Sequence, residues 1–199
     1  MFINSFILAS TSKSREKILK ENKLSFSKVR PKCDEGSLKK KLIKKKVSIK
    51  NISLELARLK SLSVSSKKKN TFVVGSDTTI SLNNSLLNKA KNRKEAKQKL
   101  LKMSGKKHEI YSSACVFYNK KEVWKCTQKT TVKIRKLTTR ELDLYLTLTG
   151  NKILKSVGCY QVEKMGPNII EYIRGDFFNV MGFPLFPFLK FLKKFNIKK

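Results

Sequence analysis

Acidic residues are scarce in this sequence, because 14 Asp and Glu stand against 46 Lys and Arg and give a formal net charge of +32. A charge of that size is typical of proteins that bind nucleic acid, anionic membranes or polyanionic substrates. Only seven of the basic residues are Arg, and the Lys residues are spread over nearly every segment. The runs at residues 39–41, 44–46 and 67–69 therefore favour solvated surface over one nucleic-acid groove.

Histidine and closely spaced cysteines are also lacking. The one histidine is His108, and no two cysteines form a C-x-x-C pair. These absences argue against a zinc site built from Cys and His. We expect the cysteines to be free thiols, mostly buried, in a reducing compartment. They are Cys33, Cys115, Cys126 and Cys159.

Long apolar runs are missing as well. No run approaches the roughly 20 residues that span a bilayer, and the apolar residues 1–10 lack the basic start of a signal peptide. We therefore expect a soluble cytoplasmic protein with no membrane partner. A membrane-surface role for residues 183–199 is the weaker alternative, because a terminal helix docked on the core gives the same mixture of aromatic residues and lysines.

Strand patterns alternate with helix patterns along the chain, which predicts an α/β fold with a mixed sheet. Glu95 lies three residues after Asn92, and Glu141 three after Thr138; each pair is a capping box that opens a helix. Another helix is expected over residues 51–65. The expected strands are residues 6–9, 26–30 and 72–75, a hairpin of 108–118 with 122–134, and a last hairpin of 169–173 with 177–181.

Carboxylates stand at the ends of two of these strands. Asp77 follows the apolar strand of residues 72–75, at the sheet edge where α/β proteins bind ligands. It is a candidate general base or metal ligand. Asp34 and Glu35 follow the strand of residues 26–30 and could share one Mg²⁺ with Asp77. The alternatives are a turn residue at Asp77 and an exposed loop at Asp34 and Glu35.

A run of hydroxyl residues lies between the first strand and the first helix. Residues 10–14 supply hydroxyls and backbone N–H groups that can bind an anion, and Arg15 can add a bidentate phosphate contact. Ordinary N-capping by one serine is the alternative. Lys60 and Lys89 cannot be separated from the other lysines by pattern alone.

Taken in order, these segments resemble the Maf family of nucleoside triphosphate pyrophosphatases over nearly the whole chain. The family lysine in the segment 87–89 is present, but Asn88 and Ala90 stand where the family usually has Gly and Pro. Lys155 is displaced from the family's position, so it is left out of the site. The segments that resemble family motifs are residues 7–15, 33–35, 56–60, 74–78, 87–89, 104–108 and 175–184.

The resemblance implies a single Maf-like domain over residues 1–199. Its fold would be two-lobed with a central substrate cleft, as in inosine triphosphatase-like proteins, and it would often form a homodimer. The family role it implies is removal of modified nucleotides or control of nucleotide pools linked to septum formation.

The resemblance also implies hydrolysis of a nucleoside triphosphate to the monophosphate and pyrophosphate. Asp77 and Glu35 would hold Mg²⁺ or Mn²⁺, and Asp77 or the metal would activate water. Lys60 and Lys89 would act in catalysis, with Ser10 and Arg15 on the phosphates. The substrate-binding residues implied are Ser10, Arg15 and Glu163.

Glu163 stands where the pyrimidine-preferring branch of the family usually has Gln, so the chain resembles the 7-methyl-GTP branch. An ionised carboxylate accepts hydrogen bonds and suits the N1–H and N2–H₂ donors of guanine. Ser14, where the pyrimidine branch tends to have an extra Arg, agrees with this. The alternative is that Glu163 only pairs with Lys164 or another surface lysine.

A different class of function is a basic nucleic-acid-binding protein without catalysis, as the charge of +32 suggests. The scattered lysines and the lack of a basic region interleaved with aromatic residues argue against nucleic acid as a partner.

Overall fold

The computed structural model describes residues 5–196, and the expected single domain extends beyond them at residues 1–4 and 197–199. The strands are β1 (Phe6–Ala9), β2 (Phe26–Val29), β3 (Phe72–Leu82), β4 (Ser85–Leu86), β5 (Lys107–Tyr118), β6 (Lys121–Ile134) and β7 (Ile170–Arg174). The α-helices are α1 (Lys13–Glu21), α2 (Glu35–Lys44), α3 (Ile49–Ser65), α4 (Arg93–Met103), α5 (Thr139–Thr149), α6 (Phe177–Met181) and α7 (Leu185–Asn196). Two 3₁₀ helices are Gly150–Lys155 and Gly166–Asn168.

Within the described residues the strands form one mixed sheet in the order β2-β1-β3-β5-β6-β7, with β4 beside β3. Strand β1 pairs in parallel with β2 and with β3, whereas β4 pairs antiparallel with β3 and β7 antiparallel with β6. The α/β class with a mixed sheet is therefore confirmed.

The chain divides into two compact units. The first unit comprises the described parts of Met1–Thr78, Tyr111–Gln128 and Gly182–Lys199; the second comprises Thr79–Ile110 and Lys129–Met181. Strands β3, β5 and β6 each contribute residues to both units.

The first unit is built on β1, β2 and the first part of β3. Ile7, Ala9, Val64 and Val73 form one buried cluster where α3 packs on the strands. A second cluster is aromatic: the Phe188 ring contacts the rings of Phe6, Phe183, Trp124 and Phe191. Helix α7 therefore packs into the core through Phe188 and Phe191, as expected for a docked terminal helix. No helix within residues 5–196 is long and apolar enough to cross a membrane.

The second unit has an apolar core of its own, in which the end of β3, the start of β5 and the end of β6 pack with helices α4 and α5. Helix α4 begins where the Asn92 side chain accepts from the Glu95 N–H at 2.9 Å. Helix α5 begins with the complete capping box of Thr138 and Glu141. Both predicted helix starts are confirmed.

Of the two hairpins that the sequence predicted, the structure contains one. The hairpin of β5 and β6 is confirmed, and its turn residues Asn119 and Lys120 have φ of 47° and 67°. The last hairpin is wrong: β7 pairs with β6, and the expected second strand is helix α6. The cause is Asp176, whose Oδ1 accepts from the backbone N–H groups of Phe178 and Asn179 and so caps a helix.

Candidate active site

A lysine lies between two carboxylates in the first unit. Lys60 Nζ is 2.5 Å from Asp77 Oδ1 and 2.9 Å from Glu35 Oε2. The exposed fractions of the three side chains are 9% for Lys60, 14% for Asp77 and 45% for Glu35. Because a buried ammonium needs compensating charge, these carboxylates explain how a lysine is tolerated on the buried face of α3.

Close packing of α3 on β3 brings Lys60 to Asp77. A Cβ at Gly75 would lie 2.4 Å from the Ala57 carbonyl oxygen and 2.6 Å from the Ser61 nitrogen. Only glycine leaves room for this approach. Lys60 lies beside Ser61 on α3, and Asp77 lies two residues after Gly75 on β3, so the contact brings the two side chains close to each other. The Ser61 hydroxyl adds a hydrogen bond of 2.6 Å to the Val73 carbonyl.

Glu35 is placed by the start of α2. The Asp34 side chain accepts from the Ser37 N–H at 2.9 Å and caps the helix, of which Glu35 is the first residue. The hydrogen bonds from Ser37 lower the pKa of Asp34. The alternative of an exposed loop is therefore wrong, because this segment starts a helix: Asp34 is the capping residue, and Glu35 contacts Lys60.

The sequence predicted that Asp77 lies at the end of its strand. That prediction is wrong, because β3 continues to Leu82. The residues after Asp77 are β-prone and keep the strand going through Thr78, Thr79 and Ile80. The parallel pairing of β1 with β3, however, ends at Ala9 and Gly75. Asp77 thus lies two residues beyond the paired region, at the edge where β1 stops.

Arg15 forms a second polar cluster in the same unit. Its Nε donates to the Gly182 carbonyl at 2.8 Å, Nη1 to Ser10 Oγ at 3.3 Å, and Nη2 to Thr78 Oγ1 at 3.1 Å. Burial lowers the pKa of Arg15, and the charges of Asp77 and Glu35 oppose that shift. The guanidinium therefore lies in the field of the two carboxylates.

Hydroxyl residues complete this cluster. Ser12 caps α1 by accepting from the Arg15 N–H, so ordinary capping accounts for one member of the run at residues 10–14. Ser10 Oγ accepts from the Ser12 N–H at 3.1 Å as well as from Arg15. Thr78 Oγ1 and Ser112 Oγ lie 2.9 Å apart.

Sequence reasoning gave no separate role to Thr78, Ser112 or Gly182. Gly182 has φ of +104°, which favours glycine, and its carbonyl also accepts from the Ser76 hydroxyl at 3.3 Å. The signal that pointed toward this region was the C-terminal family motif over residues 175–184. Nothing in the local pattern links Gly182 to Arg15, because 167 residues separate them.

The remaining two predicted site residues, Lys89 and Glu163, belong to the second unit. Lys89 is exposed in the segment between β4 and α4, and Glu163 is half-buried between the two 3₁₀ helices. Neither side chain has a hydrogen bond or ion pair within residues 5–196. The alternative interpretation, in which Glu163 pairs with Lys164 or another lysine, therefore has no ion pair to support it within residues 5–196.

Histidine and cysteine form no metal site in the described part of the chain. His108 is buried with its Nε2 2.6 Å from the Tyr160 hydroxyl, and burial lowers its pKa to about 4. The four cysteines are free thiols; Cys115 and Cys159 are buried, and Cys33 and Cys126 are partly so. Among residues 5–196 no three His, Cys, Asp or Glu side chains cluster to hold a metal ion.

The sheet and the charged cluster at the end of its β1–β3 pairing define an α/β protein with a polar site. The Maf-like protein family matches residues 5–195. A nucleoside triphosphate pyrophosphatase of Pelagibacter ubique is 36% identical over 191 residues, which cover 96% of this chain and 98% of that protein. The chain belongs to the Maf-like family.

Two further relatives also match over nearly the whole chain. A nucleoside triphosphate pyrophosphatase of Caulobacter vibrioides is 33% identical over 97% of this chain and 96% of that protein. A 7-methyl-GTP pyrophosphatase of Bartonella quintana is 34% identical over 99% of this chain and 98% of that protein. Relatives of both names are thus similar to the chain over nearly its whole length.

Proposed function

We propose that this protein hydrolyses a nucleoside triphosphate to the nucleoside monophosphate and pyrophosphate. The observation that carries the proposal is the cluster in which Lys60 contacts both Asp77 and Glu35. An ammonium and two carboxylates beside the end of parallel strands form a site for a phosphate chain and its counter-ions. The relatives named as pyrophosphatases support the same activity.

Asp77 is the group that takes a proton in this reaction. Its Oδ1 is held by Lys60, whereas Oδ2 makes no hydrogen bond within residues 5–196 and can accept a proton from water. The water oxygen bonds to the α-phosphorus as the bond from that phosphorus to the bridging oxygen breaks. That oxygen leaves with the pyrophosphate, whose negative charge Lys60 and Lys89 stabilise.

Arg15 and Ser10 bind the phosphates in this proposal. Each guanidinium nitrogen of Arg15 already donates one hydrogen bond, and one N–H on each Nη nitrogen is left to contact a phosphate oxygen. Because the three existing bonds fix the plane of the guanidinium, those N–H groups are oriented before substrate binds.

The donor set also fits a divalent cation, Mg²⁺ or Mn²⁺. Such an ion needs one or two carboxylates in addition to waters and substrate phosphates, and not a cage made only of protein. Asp77 and Glu35 flank the same ammonium: the pair with Glu35 is made by Oε2, which leaves Oε1 for the ion, and Asp77 Oδ1 keeps a second lone pair beside the Oδ2 that accepts the proton. When bound, the ion would neutralise phosphate charge and polarise water.

Glu163 is assigned to recognition of a guanine-type base, 7-methyl-GTP included. All 14 acidic residues of the chain lie within residues 5–196. Of these, Glu163 alone has neither an ion pair nor a hydrogen bond there. In a chain with 46 basic residues, an unpaired carboxylate is available for the N–H donors of a base.

The test is pyrophosphate release by the purified protein from common and modified nucleoside triphosphates, with Mg²⁺, Mn²⁺ or no metal. The proposal predicts stoichiometric pyrophosphate and monophosphate, dependent on the cation. A parallel titration with polynucleotide in rising salt separates the non-catalytic alternative. Binding that persists at about 0.2 M salt, without pyrophosphate from any nucleotide, would show that the protein binds nucleic acid instead.

The homodimer and the cytoplasmic location implied by the resemblance remain predictions. Sedimentation equilibrium over a range of protein concentrations tests the first, and fractionation of the source cells tests the second.

A further inference from the structure

Residues 87–90 form the segment that carries Lys89, called here the Lys89 segment. The Lys89 side chain is exposed and contacts no other side chain by hydrogen bond or ion pair within residues 5–196. Its ammonium is therefore placed only by the backbone that bears it. What holds that backbone decides where Lys89 can reach.

Lys99 on α4 holds the middle of the Lys89 segment. Its Nζ donates to the carbonyl oxygen of Asn88 and, at 3.2 Å, to that of Val157. Burial lowers the pKa of Lys99. Lys97 on the same helix pairs with the exposed Asp143, whereas Lys99 has no carboxylate partner among the described residues. Two backbone carbonyls thus take the place of a counter-ion.

The ends of the segment are held by other contacts. The Leu87 N–H donates to the Ile80 carbonyl at 2.9 Å. Ala90 is buried at 6% exposure, and its backbone amide lies at the sulfur of Cys159, which is fully buried. Lys99 itself lies close enough to Cys159 for its charge to act on that thiol. Between the two fixed ends, the Asn88 carbonyl is the point that Lys99 restrains.

We propose that Lys99 is a positioning residue for Lys89, through its hydrogen bond to the Asn88 carbonyl. That carbonyl belongs to the planar peptide group that also contains the nitrogen and Cα of Lys89. A restraint on this peptide plane, together with the buried Ala90 on the other side of Lys89, therefore limits the directions in which the Lys89 side chain leaves the backbone. The inference rests on the proposed function, in which Lys89 acts on the phosphate chain.

The first experiment is a double-mutant cycle on pyrophosphate release. Lys99→Met keeps the apolar stem and removes the ammonium, and Lys94→Met is the matched control because Lys94 is exposed on the same helix without a described partner. We expect Lys99→Met to lower kcat/KM by roughly 10- to 100-fold. The same change in a Lys89→Ala background should have less than about a twofold effect. Lys94→Met should leave kcat/KM unchanged in both the wild-type and the Lys89→Ala backgrounds.

A loss that persists undiminished in the Lys89→Ala background would show that Lys99 supports the fold and does not act through Lys89. Normal kcat/KM in Lys99→Met would equally overturn the proposal. If Lys99→Met does not fold, Lys99→Gln takes its place, because its neutral and shorter side chain weakens the contacts with the two carbonyls; Lys99→Arg, which keeps the charge and the donors, should retain most activity.

Backbone hydrogen exchange separates this inference from the proposed function. Peptides covering residues 87–91 should exchange faster in Lys99→Met than in the wild type and in Lys94→Met. Unchanged exchange would refute the restraint. Absence of pyrophosphate release by the wild-type protein would instead refute the proposed function and leave the exchange result to decide on Lys99.

Discussion

Replacing Asp77 with Asn tests the proposed mechanism most directly, because the change removes a charge and little else. The amide is nearly isosteric with the carboxylate, and its oxygen can still accept from Lys60 Nζ. Glu35 remains 2.9 Å from the same ammonium. The cluster therefore keeps one ion pair and one hydrogen bond, and the fold should persist.

The structure allows the loss of stability and the loss of activity to be compared. Breaking a fully buried pair costs about 3–5 kcal/mol, but Glu35 still compensates Lys60, so we expect about 1–2 kcal/mol. At this chain length that lowers Tm by roughly 2–8 °C. Removing the proton acceptor should slow hydrolysis by roughly 10²- to 10⁴-fold, or about 2.7–5.4 kcal/mol in the activation barrier. The catalytic effect should exceed the structural one.

The assay is pyrophosphate release at 25 °C, with Tm measured on the same samples. Asp143→Asn is the matched control, because Asp143 is 2.5 Å from Lys97 in an ion pair whose carboxylate is 56% exposed. That exposed pair should contribute about 0–1 kcal/mol to stability and nothing to turnover. Near-normal turnover in Asp77→Asn, or an equal loss in Asp143→Asn, would remove Asp77 from the mechanism.

Other predictions concern lysines, the base and pH. Lys60→Ala and Lys89→Ala should raise KM, lower kcat or both, while Lys68→Ala should do neither; equal losses at all three would show an effect of bulk charge. The wild type should prefer guanine-type triphosphates over UTP and dTTP, and Glu163→Gln should narrow or reverse that ranking in competition assays. As the single histidine, His108 should titrate near pH 4 by NMR; because its pKa is depressed from 6.5, it should lower the free energy of unfolding by about 3 kcal/mol as pH falls from 6.5 to 4. A titration near 6.5 would contradict its burial.

Sequence reasoning predicted elements well where the signal is local. The helix starts at Asn92 and Thr138 and the hairpin around Asn119 depend on residues within a few positions of one another, and all are confirmed. The reciprocal capping box is complete only at Thr138, because Glu95 accepts from the Lys91 N–H instead. It failed where one residue redirects the chain: Asp176 starts a helix where apolar residues indicated a strand. At Asp77 the pairing with β1 ends, but β3 itself continues, and that difference is set by a neighbouring strand.

The site shows why resemblance found residues that pattern could not rank. Lys60 is one of many lysines, and its distinction is burial between carboxylates 25 positions before it and 17 after it in sequence. That arrangement depends on Gly75, which lets α3 lie against β3, and on Asp34, which starts α2 so that Glu35 faces the ammonium. Neither requirement is a property of the lysine itself. In a chain this basic, contacts therefore distinguish two lysines, Lys60 by its carboxylates and Lys99 by its backbone carbonyls, whereas Lys89 is marked only by the family resemblance.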